Sequence, residues 1–146
     1  MIRTAGAGSS IISDAAKQKV ETIRHEVVSR SYQAANELRS ASLYVLRGQG
    51  GGRRYRIPGT RQTYQASAPG SPPAVRTGAF RLSWAPRVVA QGDEVIASIE
   101  SNLMVGRWVL GELLENGTSR MAPRPYKERI KDRALPNIIA IFSKPY

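Results

Sequence analysis

The sequence predicts an α+β fold: a long N-terminal helix packed on a small antiparallel β-sheet, with a shorter C-terminal helix and a long Gly/Pro/Arg-rich loop. Three observations predict it. Small and apolar residues recur at spacings of four and three through residues 13–47, the period of one helix face. A stretch dense in glycine, proline and arginine, 48–77, then interrupts that pattern. Beyond it, a period of two sets in and gives way to a second helical pattern. The 146 residues form one domain (1–146), divided into a flexible arm (1–12), the long helix (13–47), an extended basic loop (48–77), and the sheet with the C-terminal helix (78–146).

The arm, which includes Gly6, Gly8, Ser9 and Ser10, shows no periodicity. Ser13 is the expected N-cap of the long helix, with Asp14 in the first turn where a negative charge favours the dipole. The seam runs Ala16, Val20, Ile23, Val27, Ser31, Ala34, Leu38, Ala41, Val45, widened by Val28, Tyr32 and Ala35. Its small residues suit close approach of a sheet or a second helix more than a self-standing zipper. Gly48 ends the helix, with Arg47 expected in its last turn.

Within 48–77, residues 55–57 are expected to pair as a short strand with a return over 61–66, and the whole stretch is expected to be mobile in the isolated chain. Phe80, Leu82 and Trp84 alternate with polar residues, which predicts a half-buried strand. Pro86 either breaks that strand or marks an edge. Residues 87–91 and 94–101 read as a hairpin about Gly92-Asp93. Residues 108–114 form a short helix or strand with Trp108, Leu110, Leu113 and Leu114 inward, closed by Gly117. Pro125 is placed in the first turn of a helix over 126–135, with Ile130 and Leu135 on its buried side. Pro136 kinks or stops that helix, and 137–142 adds a further apolar turn or two.

Composition narrows the function classes. There is no cysteine, so disulfides, thiolate metal sites and Cys nucleophiles are excluded. The longest aliphatic or aromatic run, 138–142, is far below a membrane span, and 1–10 lacks the apolar core of a signal peptide. The expectation is a chain made in a bacterial cytoplasm with no membrane partner. The lone histidine, His25, lies mid-helix without a G-x-S-x-G elbow or a second ligand to work with. Glu112 and Glu115 are the nearest thing to a carboxylate pair and read as surface charges beside Arg107 and Arg120. Neither an enzyme nor a cofactor is expected.

The net charge is +11, and its placement is one-sided. Between Glu37 and Asp93 no acidic residue occurs, while nine arginines do. Arginine presents a permanently charged planar fork suited to phosphate and carboxylate. Arg47, Arg53, Arg54, Arg56 and Arg61 lie among glycines, with Tyr55 and Tyr64 available to stack. They are the candidate contacts to DNA or to an acidic neighbour. A solvated basic loop is the plainer alternative. No base-reading module accompanies them, so any contact with nucleic acid should be non-specific.

Two segments carry a resemblance. Residues 66–84 read ASAPGSPPAVRTGAFRLSW, and residues 113–126 read LLENGTSRMAPRPY. In order and at this spacing they resemble the neck and tail-completion (head–tail joining) proteins of long-tailed double-stranded DNA phages. The resemblance covers roughly 66–127, and the long helix also suits it. It departs from the family pattern at Arg76, where an acidic residue is common, and at Asn116, where an aromatic is usual. The matched positions Pro72, Pro73, Thr77, Gly78, Gly117, Thr118, Arg124 and Pro125 are implied to be structural. The resemblance implies a structural virion protein with no enzymatic activity, in a homo-oligomeric ring of six or twelve copies. Its implied partners are neighbouring neck or connector and tail-tube proteins, with DNA passing through the channel. The alternative is a small basic protein that binds nucleic acid non-specifically.

Overall fold

The computed structural model describes residues 7–48 and 50–146. A 39-residue helix, α1 (Ala7–Val45), leads into a short hairpin, β1 (Arg54–Arg56) and β2 (Thr63–Gln65). One helical turn, α2 (Ala79–Leu82), precedes the longest hairpin, β3 (Ala85–Gln91) and β4 (Glu94–Glu100). A two-residue hairpin, β5 (Met104–Val105) and β6 (Trp108–Val109), runs into α3 (Leu110–Asn116), and α4 (Lys127–Phe142) closes the described chain. The architecture is α+β, and among the described residues the strands form three separate two-stranded antiparallel hairpins rather than one sheet.

The C-terminal part of α1 packs against α4 and against the β3–β4 hairpin. Where the seam meets these partners, Ser31, Ala34, Ala35, Ala41 and Ser42 are buried, and their small side chains admit the close approach. Towards its start α1 runs free of the body: Ile11, Ile12 and Val20 are exposed. The core is a single cluster of Ala41, Leu46, Tyr126, Ile130 and Ala134, flanked by Leu38, Phe80, Trp84, Ile99, Leu114 and Ile138. Phe80, Trp84 and Tyr126 meet edge-to-face in all three pairings, with ring centroids 5.5–5.8 Å apart.

Several expectations are corrected. The helix already includes Ala7, so Ser13 is an interior residue and not a cap, and residues 7–12 of the expected arm are helical. Gly8 weakens this stretch without breaking it, and propagation from an existing turn is easy. Residues 1–6 of that arm lie outside the described residues. At the other end Arg47 falls beyond α1.

The strand expected around Phe80–Trp84 is the α2 turn. Gly78, with φ 82°, and the Thr77 hydroxyl, which accepts the Ala79 N–H at 3.3 Å, start that turn. Phe80 and Trp84 then share a face four residues apart, and Leu82 is exposed. Pro86 neither breaks nor ends β3. It pairs opposite Ile99, which a proline can do in a two-stranded ladder where each strand is an edge.

Trp108, expected inward, is exposed. Helix α4 starts at Lys127, one residue later than expected and two after Pro125. It continues through Pro136, which sits on the exposed face where the lost hydrogen bond is open to water. Its buried stripe is Ile130, Ala134 and Ile138, so Leu135 points outward.

Polar contacts fix the ends. Glu115 of α3 accepts the backbone N–H groups of Tyr126 (2.9 Å) and Lys127 (3.3 Å), capping α4 from outside it. Glu112 pairs with Lys127 at 3.1 Å. The two carboxylates therefore serve the start of α4 rather than Arg107 and Arg120. Arg30, 5% exposed, pairs with Glu26 at 2.5 Å, donates to the carbonyls of Lys144 and Pro145, and lies 4.0 Å from the Tyr146 ring centroid. It pins the C-terminal segment to α1.

Candidate functional site

The two distinctive segments, 66–84 and 113–126, meet in space. The Gly70 N–H donates to the Pro123 carbonyl at 3.1 Å. Arg124 donates through Nη1 to both the carbonyl and the hydroxyl oxygen of Ser67, and Arg129 donates to the Gly70 carbonyl at 3.3 Å. Within the second segment, Thr118 and Met121 exchange backbone hydrogen bonds, and the Arg124 N–H returns to the Leu114 carbonyl at 2.8 Å. Gly117 makes that reversal possible: its φ is 75°, and a Cβ there would lie 2.7 Å from the Met121 carbonyl oxygen. At the other junction Gly48 (φ 63°) lets residues 74–75 cross the end of α1, where a Cβ would meet Val75 N at 2.6 Å.

Between the two segments lies an open groove of about 500 Å³. Its lining includes Phe80, Leu103, Val105, Leu110 and Leu114, together with Tyr55 and Tyr64 of the β1–β2 hairpin. The first segment contributes Pro73, Thr77 and Gly78 to the lining, and the second contributes Arg120, Met121 and Arg124. Pro73 is buried, while Pro72, Gly78, Gly117, Arg124 and Pro125 are half-buried and Thr77 and Thr118 exposed. Of the eight positions singled out in the sequence, Pro73, Thr77, Gly78 and Arg124 line this groove, and Pro72, Gly117, Thr118 and Pro125 do not.

Four arginines line it, Arg76, Arg81, Arg120 and Arg124, and no carboxylate does. Arg124 and Arg81 are half-buried and held by oxygen atoms of the main chain and Ser67, Arg81 donating to the Leu43 carbonyl at 2.8 Å. Neither has an ion-pair partner among the described residues. Arg76 lies over the Tyr64 ring, 5.5 Å from its centroid.

Of the five arginines expected to contact a polyanion, Arg53, Arg54 and Arg56 sit on or beside β1, and Arg61 on the turn before β2. Arg56 and Arg61 line the same shallow depression. All are exposed, and none takes part in an ion pair among the described residues. Tyr55 and Tyr64, paired across the hairpin, stack with centroids 5.9 Å apart. Arg47 is not part of this hairpin. Its guanidinium lies 4.0 Å from the Tyr44 centroid, and Arg133 of α4 lies 3.2 Å from the same ring. Sequence reasoning missed Arg133, whose only signal was the helical spacing that places it one turn after Arg129.

His25 is exposed on α1. Among the described residues, no group of three or more His, Cys, Asp or Glu is placed to hold a metal ion, and no helix is long and apolar enough to cross a membrane. Tyr126 is buried in the core cluster. Burial pushes its phenol well above the usual tyrosine range, and the nearby Glu115 and Glu112 carboxylates add to that. Its hydroxyl donates to the Gly111 carbonyl at 3.0 Å. Compared with models of known protein families, with curated proteins and with solved structures, the chain has no match.

Proposed function

We propose that this chain is a non-enzymatic structural subunit of a bacteriophage neck, which forms a ring of six or twelve copies joining the DNA-filled head to the tail. Its partners in that reading are further copies of itself, the neighbouring connector or neck proteins and the tail tube, and its place is the virion. The observation that carries the reading is the meeting of the two family-like segments around one open groove. A chain that spends its most distinctive sequence on an accessible groove is suited to receiving another chain. The uneven burial supports it: among the described residues seven hydrophobic side chains are buried, whereas large apolar ones such as Ile11, Ile12, Ile96, Trp108 and Ile139 stay exposed. Surfaces of that kind are covered in assemblies. Removing the gene from its replicon should yield DNA-filled heads and tails that remain unjoined. Normal, infectious particles lacking the chain would refute the assignment.

A second reading, a small non-specific nucleic-acid-binding protein, is favoured by the unpaired arginines and stacked tyrosines of the β1–β2 hairpin. Here the free protein should bind duplex DNA with a steep salt dependence, and gene removal should leave head–tail joining untouched.

A further inference from the structure

We propose that the groove between α2, α3 and the β1–β2 hairpin is a docking site for a partner-protein segment presenting aliphatic side chains flanked by carboxylates. Its volume, about 500 Å³, falls within the roughly 300–1,000 Å³ typical of binding pockets. Its lining includes the aliphatic Leu103, Val105, Leu110 and Leu114 and the aromatic Phe80. Apolar side chains of an occupant would lose their water there, which supplies affinity without direction.

Direction comes from charge. Arg81 and Arg124 are half-buried in the lining with no counter-ion among the described residues, and Arg76 and Arg120, also in the lining, are exposed. A partly desolvated guanidinium is costly without an anion, and a carboxylate accepts its paired N–H donors side by side. The present partners of Arg81 and Arg124 are neutral oxygen atoms, so an occupant bringing carboxylates would add the opposite charge that they lack. A nucleic-acid base fits less well, because bases stack on aromatic faces and the walls are largely aliphatic. Tyr55 and Tyr64 already lie against each other. A second copy fits less well too, since two chains of charge +11 repel.

The groove's chemistry is independent of the neck assignment: peptide binding can fail while gene removal still gives unjoined heads and tails, and conversely. The test uses the full chain and three fluorescein-labelled twelve-residue peptides, alternating Leu with Glu, Leu with Lys, and Ser with Glu, followed by fluorescence anisotropy. The Leu/Glu peptide should bind at least about tenfold more tightly than either other peptide. Arg120→Glu and Arg76→Glu, on the exposed rim where folding is not at stake, should each weaken it about five- to tenfold. Arg54→Glu, outside the groove, should change it less than twofold.

Equal binding of the Leu/Glu and Ser/Glu peptides, or an equal loss in Arg54→Glu, would reduce the effect to bulk attraction and overturn the proposal. Self-association of the free chain that Arg120→Glu abolishes would assign the groove to a second copy. Single-stranded oligothymidylate that binds more tightly than the Leu/Glu peptide and is lost in Arg120→Glu would assign it to nucleic acid. Either result also overturns it.

Discussion

Arg124 holds Ser67 from 57 positions away, donating to both its carbonyl and its hydroxyl oxygen, with Ser67 itself 2% exposed. That contact ties the proline-rich first segment to the turn that precedes α4. It is the polar hinge of the groove, since both flanking segments contribute lining residues.

Arg124→Ala should therefore cost about 2 kcal/mol, the range for a hydrogen bond involving a charged group in which a buried acceptor is left unpaired. Urea unfolding followed by circular dichroism checks it. Arg124→Lys should recover only part of the loss, because an ammonium lacks the fork that serves two oxygens from one position. Wild-type stability for the Ala variant would show the contact to be incidental.

Gly117→Val should cost more, about 3 kcal/mol or greater. The position requires a left-handed φ that β-branched residues rarely adopt, and the added Cβ would press on the Met121 carbonyl and on Pro123. Soluble yield and thermal midpoint are the readouts. A soluble variant with an unchanged midpoint would mean that the reversal at 117–121 is not needed for folding.

Stability should fall at alkaline pH through Tyr126. Its phenol is raised in the folded chain, so above a pH of about 10 the unfolded state loses a proton that the native state keeps. The unfolded state then binds fewer protons, and unfolding becomes easier as pH rises. Tyr126→Phe should be less stable near neutrality, having lost the bond to Gly111, but its stability should decline less between pH 9 and about 11. Parallel decline in both proteins would place the alkaline sensitivity elsewhere.

His25→Gln should leave stability within about 0.5 kcal/mol of wild type and leave function intact, as expected for an exposed surface position. A well-folded variant that fails in head–tail joining would give that histidine a role the present reading denies.

A fivefold Arg→Ser change at Arg47, Arg53, Arg54, Arg56 and Arg61 should keep the fold, because all five side chains are exposed and pair with no carboxylate among the described residues. If they touch duplex DNA, each phosphate contact removed should reduce the log–log salt slope by about 0.9. Loss of DNA retention in filled heads with normal docking points to DNA as the partner, and loss of docking points to protein. Unchanged behaviour in both would return the acid-free stretch to a solvated loop.

The α+β class, the long helix, the hairpin about Gly92-Asp93 and the pairing of β1 with β2 follow from local signals: helical spacing, alternation and turn glycines act over a few residues and need no partner. Local signals failed where two periods coincide. Phe80 and Trp84 fit both a strand face and a helical i,i+4 pair, and only contact with Tyr126 selects the second. Pro136 ends a helix by its own chemistry, yet packing of Ile130, Ala134 and Ile138 against α1 carries α4 past it. The uneven charge and the two distinctive segments were visible in the chain, but their meeting was not. Ser67 and Arg124, or Arg76 and Arg120, are brought to one groove by long-range packing, and no short-range pattern encodes a contact between segments so far apart.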